Sequence, residues 1–174
     1  MKRYAAILLA LLLCAFPCPC FADSSTELQY SYILKEDGTA VITGFTGTPA
    51  AQTVLPAALG GAAVTEIGES AFHGAESLYS VSFPESIVAI SDYAFADCTR
   101  LEELSLPEGL QSVGEWAFGR CNLNTVTLPP ALTEIGPNAF SGNTALLLYV
   151  RAGSAAEGYA KNSGLRFSAE GETA

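Results

Sequence analysis

From residue 67 onward the apolar positions recur in blocks, with neither a helical nor a simple strand period. The dipeptide Ala-Phe appears at Ala71-Phe72, Ala94-Phe95, Ala117-Phe118 and Ala139-Phe140, so the phenylalanines are spaced by 23, 23 and 22 residues. Other columns keep step. Ile67, Ile90, Val113 and Ile135 stand five residues before each Phe, and Gly68, Gly114 and Gly136 follow three of them, with Ser91 in the fourth place. Leu78, Leu101, Leu123 and Leu146 form a further column. The first three open a Leu-x-x-(Val/Leu)-x-(Phe/Leu)-Pro pattern: Leu78/Val81/Phe83/Pro84, Leu101/Leu104/Leu106/Pro107 and Leu123/Val126/Leu128/Pro129. The one-residue deletion falls between Cys121 and Leu123, with register restored on both sides, as stacked coils tolerate at a turn.

A unit this short cannot bury its own apolar residues, so the units must stack and share one core, each column becoming a ladder. The Leu-x-x-Val-x-Leu segment alternates inward and outward as a short strand does, and the proline then stops it. The Gly-acid-x-Ala-Phe segment reads as a tight turn entering one short helical or 3₁₀ turn, in which Phe72, Phe95, Phe118 and Phe140 stack. The predicted fold is an α/β repeat: a solenoid with one short parallel strand per 22–23-residue unit, covering residues 48–151. Residues 23–47 read as a β-hairpin cap, with runs 28–34 and 39–45 flanking a turn at Asp37-Gly38. Residues 152–167 read as a helix-strand cap: Ser154 and Glu157 fit a capping box, and a helix through Lys161 stops at Gly164. Small and acidic residues 168–174 are expected to be a disordered tail.

Four in-register copies of Ile-Gly-x-x-Ala-Phe, then a Cys or small residue, then Leu-x-x-Val-x-Leu-Pro, resemble the BspA-type leucine-rich repeats of bacterial surface and secreted proteins. The resemblance covers about residues 40–167. It implies a right-handed leucine-rich-repeat solenoid used for adhesion or protein binding, commonly within larger exported proteins.

The segment before the caps changes the picture of composition. Lys2 and Arg3 precede an apolar run, residues 4–16, shorter than the roughly 18–20 residues that span a bilayer. Cys20 and Ala22 supply small residues before a cut at Asp23, so residues 1–22 read as a secretory signal peptide and the mature chain as secreted or held at the cell surface. Leu13, Pro17 and Pro19 precede the three leader cysteines, where a lipid anchor would need a small residue. Removing Lys2 and Arg3 takes the formal net charge from −10 to −12, which disfavours nucleic acid and anionic membranes.

Candidate chemistry is sparse. Catalysis by a Ser/His/Asp or Cys/His set needs a histidine, and the one present, His73, lies in a column shared with Ala96, Gly119 and Ser141, an ordinary surface slot. No cofactor, metal or enzymatic activity is expected. Glu69, Asp92 and Glu115 form an acidic column that reads as charge at the start of each helical turn more readily than as a Ca²⁺ site. Cys98 and Cys121 share a column one rung apart, close enough for a disulfide, but Ala75 and Asn143 in the same column point to a requirement for small residues, and free thiols are favoured. Two features suit a partner. Tyr93 and Trp116 share the column just before Ala-Phe and should lie side by side on the exterior. Ser80, Ser82, Glu103, Ser105, Thr125 and Thr127 should face outward from the strands. The reading is a monomeric, non-enzymatic module binding an extracellular protein or glycan. The alternatives are a structural protein of the envelope or a carbohydrate-active enzyme.

Overall fold

The computed structural model describes residues 29–171; residues 1–28, which hold the expected leader and the first residues of the expected N-terminal cap, and residues 172–174 lie outside it. Strands β1 (Gln29–Leu34) and β2 (Ala40–Thr46) pair antiparallel. Their turn is held by Asp37 Oδ1, which accepts from both the Thr39 N–H (2.9 Å) and the Thr39 hydroxyl (2.6 Å). An irregular first rung follows with β3 (Gln52–Val54), β4 (Ala58–Leu59) and β5 (Ala62–Ile67). Each full repeat then gives two short strands: β6 (Ser80–Ser82) and β7 (Ala89–Ile90), β8 (Glu103–Ser105) and β9 (Ser112–Val113), β10 (Thr125–Thr127) and β11 (Glu134–Ile135). The chain closes with β12 (Leu147–Arg151), the helix α1 (Ala155–Asn162) and β13 (Arg166–Glu170).

The solenoid therefore has two sheets where the sequence predicts one strand per repeat. The expected Leu-x-x-Val-x-Leu strands form a parallel sheet in the order β13-β12-β10-β8-β6-β3. The Ile67/Ile90/Val113/Ile135 column, read from sequence as a buried ladder and not as a strand, forms a second sheet, β1-β2-β5-β7-β9-β11, with β4 against β5. Its strands are two residues long in the repeats because the Gly-acid turn begins immediately after each Ile or Val, leaving one outward and one inward side chain per rung. Between the sheets lie the predicted ladders: Leu78, Leu101, Leu123, Ile67, Ile90 and Phe72 to Phe140 are all essentially inaccessible to solvent.

The Phe column stacks face to face, with ring centroids 4.9, 5.3 and 5.4 Å apart from Phe72 through Phe95 and Phe118 to Phe140. Phe45 of β2 continues the stack at one end, 5.2 Å from Phe72, and Tyr159 of α1 closes it edge-on at the other, 6.3 Å from Phe140.

The segment around each Ala-Phe has i+3→i bonds of the 3₁₀ kind, as in Ala71 N–H to Gly68 C=O (3.2 Å) and His73 N–H to Ser70 C=O (3.2 Å). It does not propagate into a helix, because Ser70, Tyr93, Trp116 and Asn138 adopt left-handed φ values of 53–58°. Alternate N–H groups point instead along the solenoid axis. Phe72, Phe95 and Phe118 N–H donate to the Ala94, Ala117 and Ala139 carbonyls of the next rung at 2.7–2.8 Å. The turns are thus stitched together as firmly as the strands.

At the last rung the acceptor is supplied by the cap: Phe140 N–H donates to the Tyr159 hydroxyl at 3.2 Å. Tyr159→Phe leaves that buried N–H without an acceptor while keeping the ring, and is expected to cost about 1–3 kcal/mol in urea unfolding with the slope unchanged. Ser154 caps α1 by accepting the Glu157 N–H (3.2 Å), while Glu157 reaches back to the Gly153 N–H (2.8 Å), one residue earlier than a standard capping box. Order also extends further than the sequence suggests. Residues 168–170, expected in a disordered tail, pair in β13 with Tyr149, Val150 and Arg151, because β12 offers an unpaired backbone edge of the same length.

Candidate functional site

The strand-facing candidates lie where the alternation puts them. Across the first sheet, Ser80, Glu103 and Thr125 form one row and Ser82, Ser105 and Thr127 the next, all exposed except the half-buried Ser80. Beside this face Tyr79 donates to Glu103 Oε1 at 3.4 Å. The neighbouring Glu103 and then Glu102 raise the Tyr79 phenol above its ordinary range. Asn122 steadies Glu102 with a 3.2 Å bond from its side-chain amide.

The aromatic pair is less free than its sequence position suggests. Tyr93 and Trp116 are both half-buried and occupy the left-handed position of their turns. The Trp116 ring folds back over Gly119, where a Cβ would come within 2.4 Å of it. Arg120 lies over the same ring at 5.4 Å and donates to Asp97 through Nε (2.8 Å) and Nη2 (3.0 Å). His73 joins this ridge 3.3 Å from Asp97 and is exposed, as its variable column implies. The side chains form a surface chain across three rungs.

The cysteine column is not merely a column of small residues. The buried free thiols Cys98 and Cys121 each donate to the phenylalanine carbonyl of the preceding rung, Phe72 and Phe95, both at 3.2 Å. In the last rung Asn143 takes this place, donating to Phe118 C=O (2.9 Å) and Phe140 C=O (2.8 Å) and accepting from Leu123 N–H (3.1 Å). Three of the four residues are carbonyl donors, which size alone does not select. The neighbouring Cys98 thiol, followed by burial, holds the Cys121 thiol protonated well above its usual range.

The feature that sequence reading misses is a groove of about 910 Å³ along the second sheet, spanning its three repeat strands. Five carboxylates line it: Glu66, Glu69, Asp92, Glu115 and Glu134. Among the described residues only Glu66 has a cationic partner, Lys35 at 3.2 Å; it also accepts from Ser91 Oγ at 3.0 Å. Asp92 sits at the start of its 3₁₀ turn, after Ser91 whose carbonyl accepts the Ala94 N–H, and its side chain also accepts the Glu115 N–H of the next rung at 2.7 Å. The available signal was the residue before each Ile or Val of the column: it must face outward if the column is a strand, and it is Glu66 and Glu134 in the outer rungs. Among the described residues no three His, Cys, Asp or Glu side chains are grouped to hold a metal ion, and no helix is long and apolar enough to cross a membrane.

The family described as the BspA-type leucine-rich repeat region matches residues 63–149 in six copies. A solved leucine-rich repeat protein from Bacteroides capillosus is 28% identical, with a TM-score of 0.63, over 71% of this chain and 94% of that one. The Leucine Rich Repeat protein of T. pallidum is 31% identical, with a TM-score of 0.57, over 69% of this chain and 68% of that one. No curated protein matches the chain.

Proposed function

Since the chain belongs to the BspA-type leucine-rich repeat family, we propose that it is an exported, non-enzymatic protein-binding module whose second-sheet groove receives a basic segment of an extracellular protein. The observation that carries this reading is the groove itself. Its backbone is fixed by ladder hydrogen bonds on both sides, so its shape costs little to preorganise. Among the described residues, four of its five carboxylates have no cation beside them, in a chain whose formal charge is already −10. Such a surface steers cationic partners and repels nucleic acid.

The exposed hydroxyl rows of the first sheet, Ser82, Ser105, Thr125 and Thr127 with Ser80 and Glu103, are the second candidate face; they suit a glycan-bearing or polar partner and are flanked by Tyr79. Tyr93 and Trp116 do not line the groove and, being half-buried, are not free anchors. Export rests on residues 1–22, and finding the mature protein in medium or cell-surface fractions tests it.

For the groove, calorimetric titration with a Lys/Arg-rich peptide is expected to show binding that weakens steeply between 50 and 500 mM salt (about the range over which surface charges become screened). Glu69→Lys with Glu134→Lys, both exposed, should abolish it with melting nearly unchanged. Binding indifferent to salt and to charge reversal would sink this reading and leave the hydroxyl face as the better candidate.

A further inference from the structure

A sheet edge offers a row of unpaired backbone donors and acceptors, and folded proteins usually blunt it with shortness, charge, proline or a covering element. Most edges of this solenoid are blunted. Strands β3 and β4 are three and two residues long; β11 is two residues long and lies against α1; β13 carries Arg166 and Glu170. Strand β1 has none of these protections. It is six residues, Gln-Tyr-Ser-Tyr-Ile-Leu, with no charge and no proline. Of the four exposed large hydrophobic residues among those described, two lie on it: Ile33 at 56% and Leu34 at 57% of full exposure. Lys35 N–H donates to Thr39 C=O at 2.8 Å, so by antiparallel alternation Ile33 and Ser31 face β2, while Tyr30, Tyr32 and Leu34 turn their main-chain groups outward.

We propose that β1 pairs antiparallel with β1 of a second copy of this chain, about a two-fold axis at Tyr32, joining the two second sheets into one. This register sets Leu34 opposite Tyr30 of the partner subunit, so each exposed leucine is covered by a ring that already packs on the Phe72 stack at 6.4 Å. The outward groups of three residues on each chain form about six hydrogen bonds across the axis. The same strand serves both sides, so the contact closes as a dimer and does not propagate. The interface is small, and its dissociation constant should be on the order of 10–100 µM. The inference rests on the β1 edge and not on the groove, whose nearest carboxylate, Glu66, pairs with Lys35 just beyond β1.

Sedimentation velocity on the exported chain from about 1 to 500 µM (bracketing that constant) should show a monomer–dimer equilibrium, with amide exchange at Tyr30, Tyr32 and Leu34 slowing as concentration rises. Leu34→Pro removes one outward N–H and leaves the bonds to β2 intact, so association should fall at least tenfold (about 1.4 kcal/mol) with the melting curve unchanged. Ile33→Lys places a charge on the edge without touching the backbone and should do the same, which keeps the test decisive if the proline variant folds poorly. A monomer at every concentration would overturn the proposal. So would a dimer indifferent to both substitutions, or protection of the three amides independent of concentration, which would mean that the chain covers its own edge.

Discussion

Replacing Phe118 with Ala is expected to lower stability by about 3–5 kcal/mol, among the largest effects of any single truncation in this molecule. The ring is wholly buried and stacked on both faces, 5.3 Å from Phe95 and 5.4 Å from Phe140. Removing it takes away the transfer energy of a phenyl group and leaves a void that the neighbours cannot fill, because Phe95 is fixed by its N–H bond to the following rung and Phe140 by its N–H bond to the Tyr159 hydroxyl. For a chain of this size the melting temperature should fall by about 6–20 °C. Phe45→Ala, at the half-buried end of the stack, should cost visibly less. If Phe118→Ala proved as mild as Phe45→Ala, the stack would not be the continuous core described above. Because contacts in a solenoid are nearest-neighbour, a split into two unfolding transitions would locate the break at the Phe118 rung.

Asn143→Ala is expected to cost about 3 kcal/mol or more, although it removes only a small polar side chain. The amide ties three backbone groups, the Phe118 and Phe140 carbonyls and the Leu123 N–H, and its loss leaves them buried without partners. Asn143→Cys repeats what Cys98 and Cys121 do in earlier rungs. It should restore one donor to the Phe118 carbonyl and recover part of the loss, whereas Asn143→Leu should recover none. Urea midpoints for the three variants measure this directly. An equal loss for Cys and Leu would show that size, and not hydrogen bonding, governs the column.

Much of the fold is legible in the chain because the repeat reports each structural demand four times. The Phe, Leu and Ile columns each recur at fixed spacing, and only a shared core explains recurrence in units too short to fold alone. The caps are legible for a different reason: Asp37-Gly38 and Ser154 with Glu157 carry local turn and capping chemistry that does not depend on the rest of the chain. Less legible were the second sheet and the turns. A two-residue strand has too few positions to display alternation, so Glu66 and Glu134 could not be recognised as outward neighbours across a groove. The left-handed residues are the hardest case. Ser70, Tyr93, Trp116 and Asn138 share no chemistry, yet all adopt φ near 55°, because rung-to-rung bonding by their neighbours dictates it.

The sequence by itself determined that this is a stacked repeat with a Phe ladder, which columns are buried, and that the chain carries a strong negative charge, which disfavours contact with nucleic-acid phosphates. Only the tertiary structure decided what the columns do beyond filling space. It made carbonyl donors of Cys98, Cys121 and Asn143, folded Trp116 onto Gly119, substituted the Tyr159 hydroxyl for a missing rung, and gathered five carboxylates from separate rungs into one groove. The physical reason is common to all four. Periodicity encodes what a residue must be when every rung asks the same of it. Hydrogen bonds and clefts between rungs depend instead on which neighbours meet across the stack, and that is fixed only when the rungs are superposed.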